Sequence, residues 1–221
     1  MKDIFLITSV INTGDIPWTY GPRSVFTPEQ RLEQTINTIS SIRSKVDAYI
    51  ILVECSDISE ETTCRLEQLV DCFIQTFNNL NVRETCINSN IKGYGELRQI
   101  LVAIDYIKEH SIPFRRFFKI SGRYYLDDNF NIESFSDTVY SGAYYNYNLI
   151  TVLYSVPSSL MSSFVNVLLE CDNIYLNNQA CPLETLMASR ITPIHVVDAL
   201  GVAGLVAVNN TFWSSAIFCT P

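Results

Sequence analysis

The sequence has little positive charge and almost no histidine. Its 221 residues include 15 Lys and Arg against 23 Asp and Glu, which gives a net charge of -8, and only 2 His. Because extended phosphate surfaces are bound by clustered Lys and Arg, this balance argues against nucleic acid or an acidic membrane as the main partner. We therefore expect no nucleic acid among the partners, and any phosphate-binding site must be local.

Long apolar runs and closely spaced cysteine pairs are also missing. The apolar run at 4–7 is far shorter than a membrane span, and no secretory cleavage site follows it. The seven cysteines form no Cys-x-x-Cys pair, and their odd number leaves at least one thiol free. We expect reduced, mostly buried thiols in a cytoplasmic protein without a membrane span.

What remains is the composition and periodicity of a folded α/β domain. Apolar residues make up 48% of the chain and charged residues 17%, with no internal repeat or low-complexity linker. Short apolar runs alternate with longer segments of helical spacing, which predicts one domain with a central, mostly parallel mixed sheet flanked by helices. The predicted strands are 4–11, 48–53, 82–87, 116–121 and 143–156, the last regular piece is 194–208, and the predicted helices are 27–45, 59–77, 95–108, 157–176 and 182–189.

Polar side chains follow the first, second and fourth predicted strands. In open α/β sheets, ligands bind beyond the carboxyl ends of the strands, so these residues are expected to share one rim. Asn12 and Glu54 also suit ordinary capping of loop backbone groups, and that alternative stays open. The rim residues are Thr8, Ser9 and Asn12 after strand one, Glu54 after strand two, and Ser121, Gly122 and Arg123 after strand four.

Two glycines beside a lysine precede the predicted helix at 95–108. Backbone N–H groups at such a helix start suit a diphosphate. The spacing matches neither the Walker nor the Rossmann motif, and a glycine turn before a helix is also a common structural device. The candidate residues for binding a diphosphate at this turn are Lys92, Gly93, Tyr94 and Gly95.

The segment after the fourth strand carries a cation and then two acids. Arg123 directly follows Gly122, where the backbone can approach a ligand and a guanidinium can clamp phosphate oxygens. Asp127 and Asp128 are candidates for holding Mn²⁺ or Mg²⁺ against the phosphates, because hard cations take oxygen ligands. The alternative is that the two acids belong to a solvated turn.

Two residues in the last third are further candidates. Glu184 lies in the first turn of the helix that opens at Pro182, and it is placed to take a proton from an attacking hydroxyl. The same position also suits a negative charge at a helix N-terminus. His195, at the start of a predicted strand, is either a hydrogen-bonded structural residue or a ligand for metal or phosphate.

Four of these segments together resemble the GT-A-fold glycosyltransferases, including small ones encoded by large DNA viruses. The resemblance implies a Rossmann-related fold over 1–221, with a nucleotide-sugar-binding part at 1–125 and an acceptor-side part at 126–221. It implies transfer of a sugar from a nucleoside-diphosphate sugar to a glycan hydroxyl. The segments are strand one ending in Asn12, the helix at 31–43, the turn at 92–96 and the strand end at 119–124.

The resemblance also implies roles for individual residues. It places Thr8, Asn12 and Glu54 near the nucleotide and sugar, 92–96 near the ribose and phosphates, and Glu184 as the base of an inverting transfer, which a retaining transfer would not need. The family usually carries Asp-x-Asp at the end of strand four, where this chain has Ser-Gly-Arg at 121–123. Two alternatives follow: Asp127 or Asp128 supplies the metal contact, or Arg123 and Lys92 neutralise the leaving diphosphate without metal.

Two other functions compete with sugar transfer. A sugar nucleotidyltransferase of related architecture is disfavoured, because no glycine-rich loop bearing Arg and Lys directly follows strand one. A non-catalytic glycan- or partner-binding module is favoured by the missing Asp-x-Asp motif. Several tyrosines suit sugar stacking in either case, although most fit core or sheet-face positions; they are Tyr124, Tyr125, Tyr144, Tyr145 and Tyr147.

Overall fold

The computed structural model describes residues 1–14, 17, 22–177, 179, 181–207 and 209–215. The strands are β1 Lys2–Ser9, β2 Ala48–Glu54, β3 Cys72–Gln75, β4 Phe114–Ser121, β5 Tyr124–Leu126, β6 Tyr140–Gly142, β7 Tyr144–Tyr145, β8 Asn148–Leu149, β9 Leu153–Pro157, β10 Ile194–Val196, β11 Val202–Leu205 and β12 Phe212–Ser214. The helices are α1 Pro28–Lys45, α2 Glu60–Glu67, α3 Leu80–Arg83, α4 Lys92–Glu109, α5 Met161–Leu176 and α6 Leu183–Ala188, with a π-helical turn at Glu84–Asn88 and 3-10 turns at Ile132–Ser134 and Ser158–Leu160.

The centre of the molecule is a seven-stranded mixed sheet in the order β10-β6-β9-β4-β1-β2-β3. β1 runs parallel to β2 and β4, β2 to β3, and β10 to β6, whereas β9 is antiparallel to both β4 and β6. An antiparallel sheet in the order β12-β11-β5 and a β7–β8 hairpin complete the strands. The predicted α/β class with a mostly parallel mixed sheet is confirmed.

The central sheet is buried on both faces because its strands alternate their side chains between two apolar layers. In β1, Ile4 and Leu6 face a core that includes residues of α4, α5 and α6. Phe5 and Ile7 face a second core, built with α1 and the small antiparallel sheet. Side chains one residue apart in a strand point to opposite faces, so a near-continuous apolar run is what a sheet covered on both sides requires.

The first helix begins where the sequence predicts. The Thr27 side chain accepts a hydrogen bond from the backbone N–H of Gln30, and the Gln30 side chain accepts one from the backbone N–H of Thr27. Both hydrogen bonds of a capping box are therefore present. Pro28 occupies the first turn, where its missing N–H costs nothing. This start sets the rotation of α1 and with it the direction of the side chains in its first turns.

The segment 82–87 is helical, and the predicted strand there is wrong. It covers the end of α3 and most of the π-helical turn. Val82 and Cys86, one helical turn apart, pack together against Cys55. Apolar residues spaced by four are typical of a helix face, and this short segment contains too few of them for the period to be recognised.

The predicted helix at 59–77 is also too long. α2 ends at Glu67, and Cys72–Gln75 form β3, which lies parallel to β2 with Cys72 opposite Ile51. A four-residue apolar run is ambiguous between helix and strand until a neighbouring strand offers backbone partners.

The predicted strand at 143–156 is interrupted by a tight turn. Asn146 and Tyr147 have φ angles of 47° and 64°, which no β-strand contains. The segment therefore forms the β7–β8 hairpin followed by β9. The last regular piece, predicted at 194–208, is likewise divided into β10 and β11, and residue 208 lies outside the described part.

The described cysteines are all free thiols, most of them buried, and Cys219 lies outside the described residues. Within the part of the chain that the structure describes, no helix is long and apolar enough to span a bilayer.

Candidate functional site

A polar cleft opens at the carboxyl ends of β1 and β4. Thr8 lies opposite Ser121 in the parallel register of these strands, so the two strands end at the same edge. The walls enclose about 700 Å³, part of which is open solvent. The cleft is lined by Thr8, Ser9, Val10, Thr13, Arg23, Arg31, Cys86, Gly95, Glu96, Gln99, Ser121, Gly122 and Arg123.

Positive charge dominates this cleft, although the whole chain is acidic. Among the described lining residues, the charged side chains are the guanidinium groups of Arg23, Arg31 and Arg123 and the carboxylate of Glu96. Cations therefore concentrate at the strand ends, which is where ligands of open α/β sheets bind.

Arg31 is buried in this cleft beside a second guanidinium. The capped start of α1 directs it inward, where 6% of its surface is exposed and its Nε donates to the Val10 carbonyl at 2.6 Å. Burial, together with the charge of Arg123, lowers the pKa of Arg31 to about 9, against a smaller opposing effect of Glu54. The site thus holds two like charges close together.

Arg123 has a hydrogen-bonding group that the protein leaves unused. The backbone before it is fixed, because the Gly122 N–H donates to the Thr8 carbonyl at 2.9 Å and the Gly122 carbonyl accepts from Thr35 Oγ1 at 3.1 Å. Its guanidinium carbon lies 5.7 Å from the centre of the Tyr124 ring. Its Nε is buried without a hydrogen-bond partner in the described structure, which is costly unless water or a ligand supplies an acceptor.

Arg23 braces the wall of the cleft. Its guanidinium donates to the Cys86 carbonyl at 2.8 Å and also to the Ser89 carbonyl. Burial lowers the pKa of Arg23. Arg23 therefore ties the loop after β1 to the π-helical turn while adding positive charge to the cleft.

Lys119 holds the carboxylate of the cleft in place. This fully buried side chain donates to Glu96, to Ser121 Oγ at 2.8 Å and to the Thr151 carbonyl at 2.8 Å. Burial lowers the pKa of Lys119, and the negative charges of Glu96 and Glu184 act in the opposite direction. The Lys119 ammonium group therefore connects the cleft to the region of α6.

Asn12 and Glu54 hold loops together and do not line the cleft. Asn12 is exposed; its side chain accepts from the Gly14 N–H at 3.3 Å, and its own N–H donates to Ser56 Oγ at 2.8 Å. Glu54 is fully buried and accepts from the backbones of Ile11 at 3.0 Å and Ser56 at 2.8 Å. These contacts correspond to the capping alternative, and the donor-binding role of both residues remains a prediction.

The glycines at the start of α4 serve close packing. The helix begins at Lys92, so the turn expected before it is its first turn; only the backbone of Lys92 is described. A Cβ on Gly93 would lie 2.6 Å from the Cβ of Leu183, and one on Gly95 would lie 2.7 Å from the Cα of Cys86. Tyr94 packs in the core with its ring centre 4.9 Å from that of Tyr175. Of Gly93, Tyr94 and Gly95, all of them described, Gly95 alone lines the cleft.

Asp127 and Asp128 lie in a turn away from the cleft. Asp127 accepts from the Asn129 N–H at 2.8 Å, and Asp128 forms an exposed ion pair with Lys45 at 3.0 Å. Lys45 ends α1, whereas Arg31 is in its first turns, and a rise of 1.5 Å per residue separates them by roughly 20 Å. The acidic pair and the arginines are therefore not brought together.

His195 and Glu184 also lie outside the lining. His195 is exposed on β10, at the edge of the central sheet, with its Nε2 3.1 Å from the Ser134 carbonyl. Glu184 lies in the first turn of α6, and its Oε1 is 3.5 Å from Thr151 Oγ1. Of the two, Glu184 is connected to the cleft, because its negative charge acts to raise the pKa of Lys119, which holds Glu96.

The residues of the cleft do not fit a divalent cation. Mn²⁺ and Mg²⁺ prefer several oxygen ligands, usually with carboxylates among them. The carboxylate among the described lining residues, Glu96, is already paired with Lys119 and faces three guanidinium groups. Across the described ranges, no three His, Cys, Asp or Glu side chains are grouped so that they could hold a metal.

Sequence reasoning did not single out Arg23 or Arg31 as site residues, and it placed Glu96 near the ribose and phosphates only as part of the 92–96 turn, without a role of its own. For Arg31 a signal exists: with Thr35 and Thr38 it forms a buried polar stripe at spacings of four and three beside the apolar face of α1. Arg23 lies in a loop where no period applies, and Glu96 needs the position of Lys119 to be recognised.

Comparisons with known proteins give likeness of fold. No protein-family model matches the chain, and no curated protein sequence matches it. Similar solved structures include a glycosyltransferase involved in glycosylation of the major capsid of PBCV-1, with 12% identity, a TM-score of 0.47, and coverage of 90% of this chain and 84% of the other. Mouse xyloside xylosyltransferase 1 has 11% identity, a TM-score of 0.42, and coverage of 89% and 85%.

A third similar structure is that of an enzyme named for a different type of transfer. The inositol-1-phosphate CTP transferase from T. maritima has 9% identity, a TM-score of 0.42, and coverage of 89% of this chain and 85% of the other. The neighbours thus include glycosyltransferases and a nucleotidyltransferase, and at these values the likeness concerns the arrangement of strands and helices alone.

Proposed function

We propose that the chain is a glycosyltransferase that moves a sugar from a nucleoside-diphosphate sugar to a glycan hydroxyl. The observation that carries this proposal is the buried, unpartnered Nε of Arg123 in a cleft that also holds the buried guanidinium of Arg31. Both groups lie at the carboxyl end of a parallel strand pair, where a nucleotide is expected.

A bound diphosphate would offset two unfavourable electrostatic effects in the cleft. Two adjacent guanidinium groups repel each other, and burial makes each charge costly. An anion with several oxygens relieves the repulsion and offers acceptors in the geometry that a guanidinium fork matches.

The chemistry that we propose is displacement at the anomeric carbon. The acceptor hydroxyl oxygen forms a bond to that carbon while the bond from the carbon to the phosphate oxygen breaks, and the nucleoside diphosphate leaves with the electron pair. Arg123 and Arg31 stabilise the charge that develops on the leaving group. Thr8, Gly95, Ser121 and Gly122 line the cleft on the proposed donor side.

For an inverting transfer, we propose Glu184 as the base that takes the proton of the acceptor hydroxyl. Its carboxylate is partly buried beside Thr151. Glu184→Gln is then expected to lower transfer at least 100-fold and to leave nucleotide binding unchanged. Unchanged transfer in this variant would favour a retaining mechanism, or Glu96 as the base.

The test of the proposal is a thermal-shift screen against UDP, GDP, CDP, dTDP and their sugars, because a ligand of the folded state raises the Tm. We expect one nucleotide to stabilise the wild type without manganese and Arg123→Ala to abolish that shift. The matched control is Arg65→Ala, which removes the same charge from an exposed pair with Glu33. The proposal fails if no nucleotide stabilises the wild type or if the two variants lose the shift equally.

One observation favours a second function, sugar nucleotidyl transfer. A nucleotidyltransferase was disfavoured because the loop after β1 lacks a glycine-rich motif with Arg and Lys. Arg23 belongs to that loop and lines the cleft, so the loop nevertheless supplies a cation to the site. The two reactions are distinguished by their products: a nucleotidyltransferase given a nucleoside triphosphate and a sugar phosphate releases pyrophosphate, whereas a glycosyltransferase releases a nucleoside diphosphate from a nucleotide-sugar.

A further inference from the structure

The β7–β8 hairpin has an unusual residue at its tip. Tyr145 pairs with Asn148, which leaves Asn146 and Tyr147 as a two-residue loop. Their φ angles are 47° and 64°, both positive, as in a type I′ turn. Such turns strongly prefer Asn followed by Gly, because a Cβ disfavours positive φ at the second position. A tyrosine therefore occupies the place of the glycine.

Packing within the chain does not account for this tyrosine. The Tyr147 side chain is 97% exposed, so it gains almost no burial in return for an unfavourable backbone conformation. A bulky residue at positive φ is energetically unfavourable, and such residues are typical of functional positions. The exposed ring and the strained backbone are two separate observations that the fold itself does not explain.

The base of the hairpin is held rigidly against α6. Leu149 is 1% exposed and belongs to the core that also contains Leu183 and Leu186. Thr185 Oγ1 donates to Asn148 Oδ1 at 2.7 Å. The ring at the tip is therefore presented from a fixed support.

This support is connected to the cleft. Thr185 directly follows Glu184, whose Oε1 is 3.5 Å from Thr151 Oγ1. The Thr151 carbonyl accepts from Lys119, which also holds Glu96 in the wall of the cleft. The hairpin thus contacts the residue that directly follows the proposed base.

We propose that Tyr147 is a stacking platform for one sugar ring of the glycan acceptor. The C–H face of a pyranose packs on the negative face of an aromatic ring, and the phenol hydroxyl can meet the hydroxyls at its edge. The neighbours of Tyr147 in the hairpin, Asn146 and Asn148, and the Thr185 that bonds Asn148, carry amides and a hydroxyl. These groups suit a hydroxyl-rich ligand better than a protein partner, which would need a large apolar patch. The proposal rests on the proposed glycosyl transfer, because it assigns the acceptor side of that site.

The test uses saturation-transfer NMR of the whole protein with the methyl glycosides of glucose, galactose, mannose and N-acetylglucosamine as probes. We expect at least one glycoside to receive saturation on its ring C–H protons in the wild type. Tyr147→Gly should reduce that signal at least fivefold while raising the Tm, because glycine suits the turn. Tyr147→Phe should retain most of the signal. The matched control is Phe212→Gly, which removes another exposed aromatic ring, 54% exposed, from β12.

Three outcomes would overturn the proposal that Tyr147 is a stacking platform. The first is that no glycoside binds the wild type, and the second is that Tyr147→Gly binds as the wild type does. The third is that Phe212→Gly loses as much signal as Tyr147→Gly. A wild-type oligomer that Tyr147→Gly dissociates in size-exclusion chromatography would also overturn it, since the ring would then contact a second copy of the chain. Nucleotide-induced Tm shifts on the same samples separate the two proposals. If sugars need Tyr147 but no nucleotide binds, glycosyl transfer fails and the platform stands as a glycan-binding site.

Discussion

Arg31 illustrates how burial at a single residue sets the chemistry of the cleft. An exposed arginine stays charged at every pH that a protein survives. In this chain the helix start turns Arg31 inward beside Arg123, and the pKa falls to about 9. The charge of the proposed phosphate site is consequently sensitive to mildly alkaline pH.

The affinity for nucleoside diphosphate should therefore fall as the pH rises through about 9. The protonated guanidinium is the form that binds an anion, so affinity is full below the pKa of about 9 and declines by up to tenfold per pH unit above it. Calorimetric titration of the stabilising nucleotide from pH 7 to 10 measures this decline. Arg31→Met should bind more weakly throughout and show a flatter profile; identical profiles for both proteins would contradict the assignment.

At the residue scale, the sequence predicted Arg123 and the strand-end residues of the cleft but not the contacts that position the other charged residues. A strand end followed by glycine is visible in a single segment. The pairing of Lys119 with Glu96, and of Arg31 with the Val10 carbonyl, joins parts of the chain that only the fold brings together. Whether Asp127, Asp128 and His195 ever bind metal remains a prediction, and their described contacts are with backbone groups and Lys45.

At the scale of elements, α4 and α6 approach so closely that a side chain between them would collide. A Cβ on Gly93 would lie 2.6 Å from the Cβ of Leu183 and 3.2 Å from its backbone nitrogen. Neither atom can rotate away, because both are fixed to the backbone of α6. The glycine that suggested a phosphate turn is therefore also required by helix packing.

Gly93→Ala should destabilise the protein by about 1–3 kcal/mol, the usual cost of overpacking. Urea denaturation followed by circular dichroism measures the change. Gly142→Ala is the control, since its Cβ would first meet the flexible Leu149 Cδ1 at 3.2 Å and should cost less. Equal stability of the Gly93→Ala variant and the wild type would show that α6 moves freely relative to α4.

Elements were predicted correctly where the periodic pattern of apolar residues extends over many residues. The prediction failed where the element is too short to show a pattern. α1 has a capping box and five turns of apolar spacing, and both its ends were predicted. β3 and the π-helical turn are too short to show a period, and their conformation depends on β2 and Cys55, which lie beside them. The β7–β8 turn was missed because the sequence has tyrosine where the turn favours glycine.

At the scale of the whole molecule, the central sheet draws on both ends of the chain. β4 lies between β1, from the first residues, and β9, from beyond residue 150. The parts expected at 1–125 and 126–221 therefore share one sheet and one pair of apolar layers, with strands of both parts in each layer. We expect one cooperative domain and no boundary at 125.

Unfolding should accordingly proceed in a single two-state transition. Far-UV circular dichroism reports the helices and strands, and near-UV dichroism reports the packing of the aromatic side chains; their urea midpoints should coincide. The nucleotide that stabilises the protein in the thermal-shift screen should raise both urea midpoints together. Separated transitions, with the nucleotide acting on one of them, would instead indicate two units that fold independently.

The sequence by itself determined the α/β class, the long helices and the strand ends at which a ligand is expected. These follow from side-chain period and from residues near one another in the chain. The tertiary structure decided which charges meet: Arg23, Arg31 and Arg123 converge in one cleft, Lys119 holds Glu96, and Asp128 is directed to Lys45. Electrostatic and packing partners depend on distances across the fold, and no local pattern in the sequence records those distances.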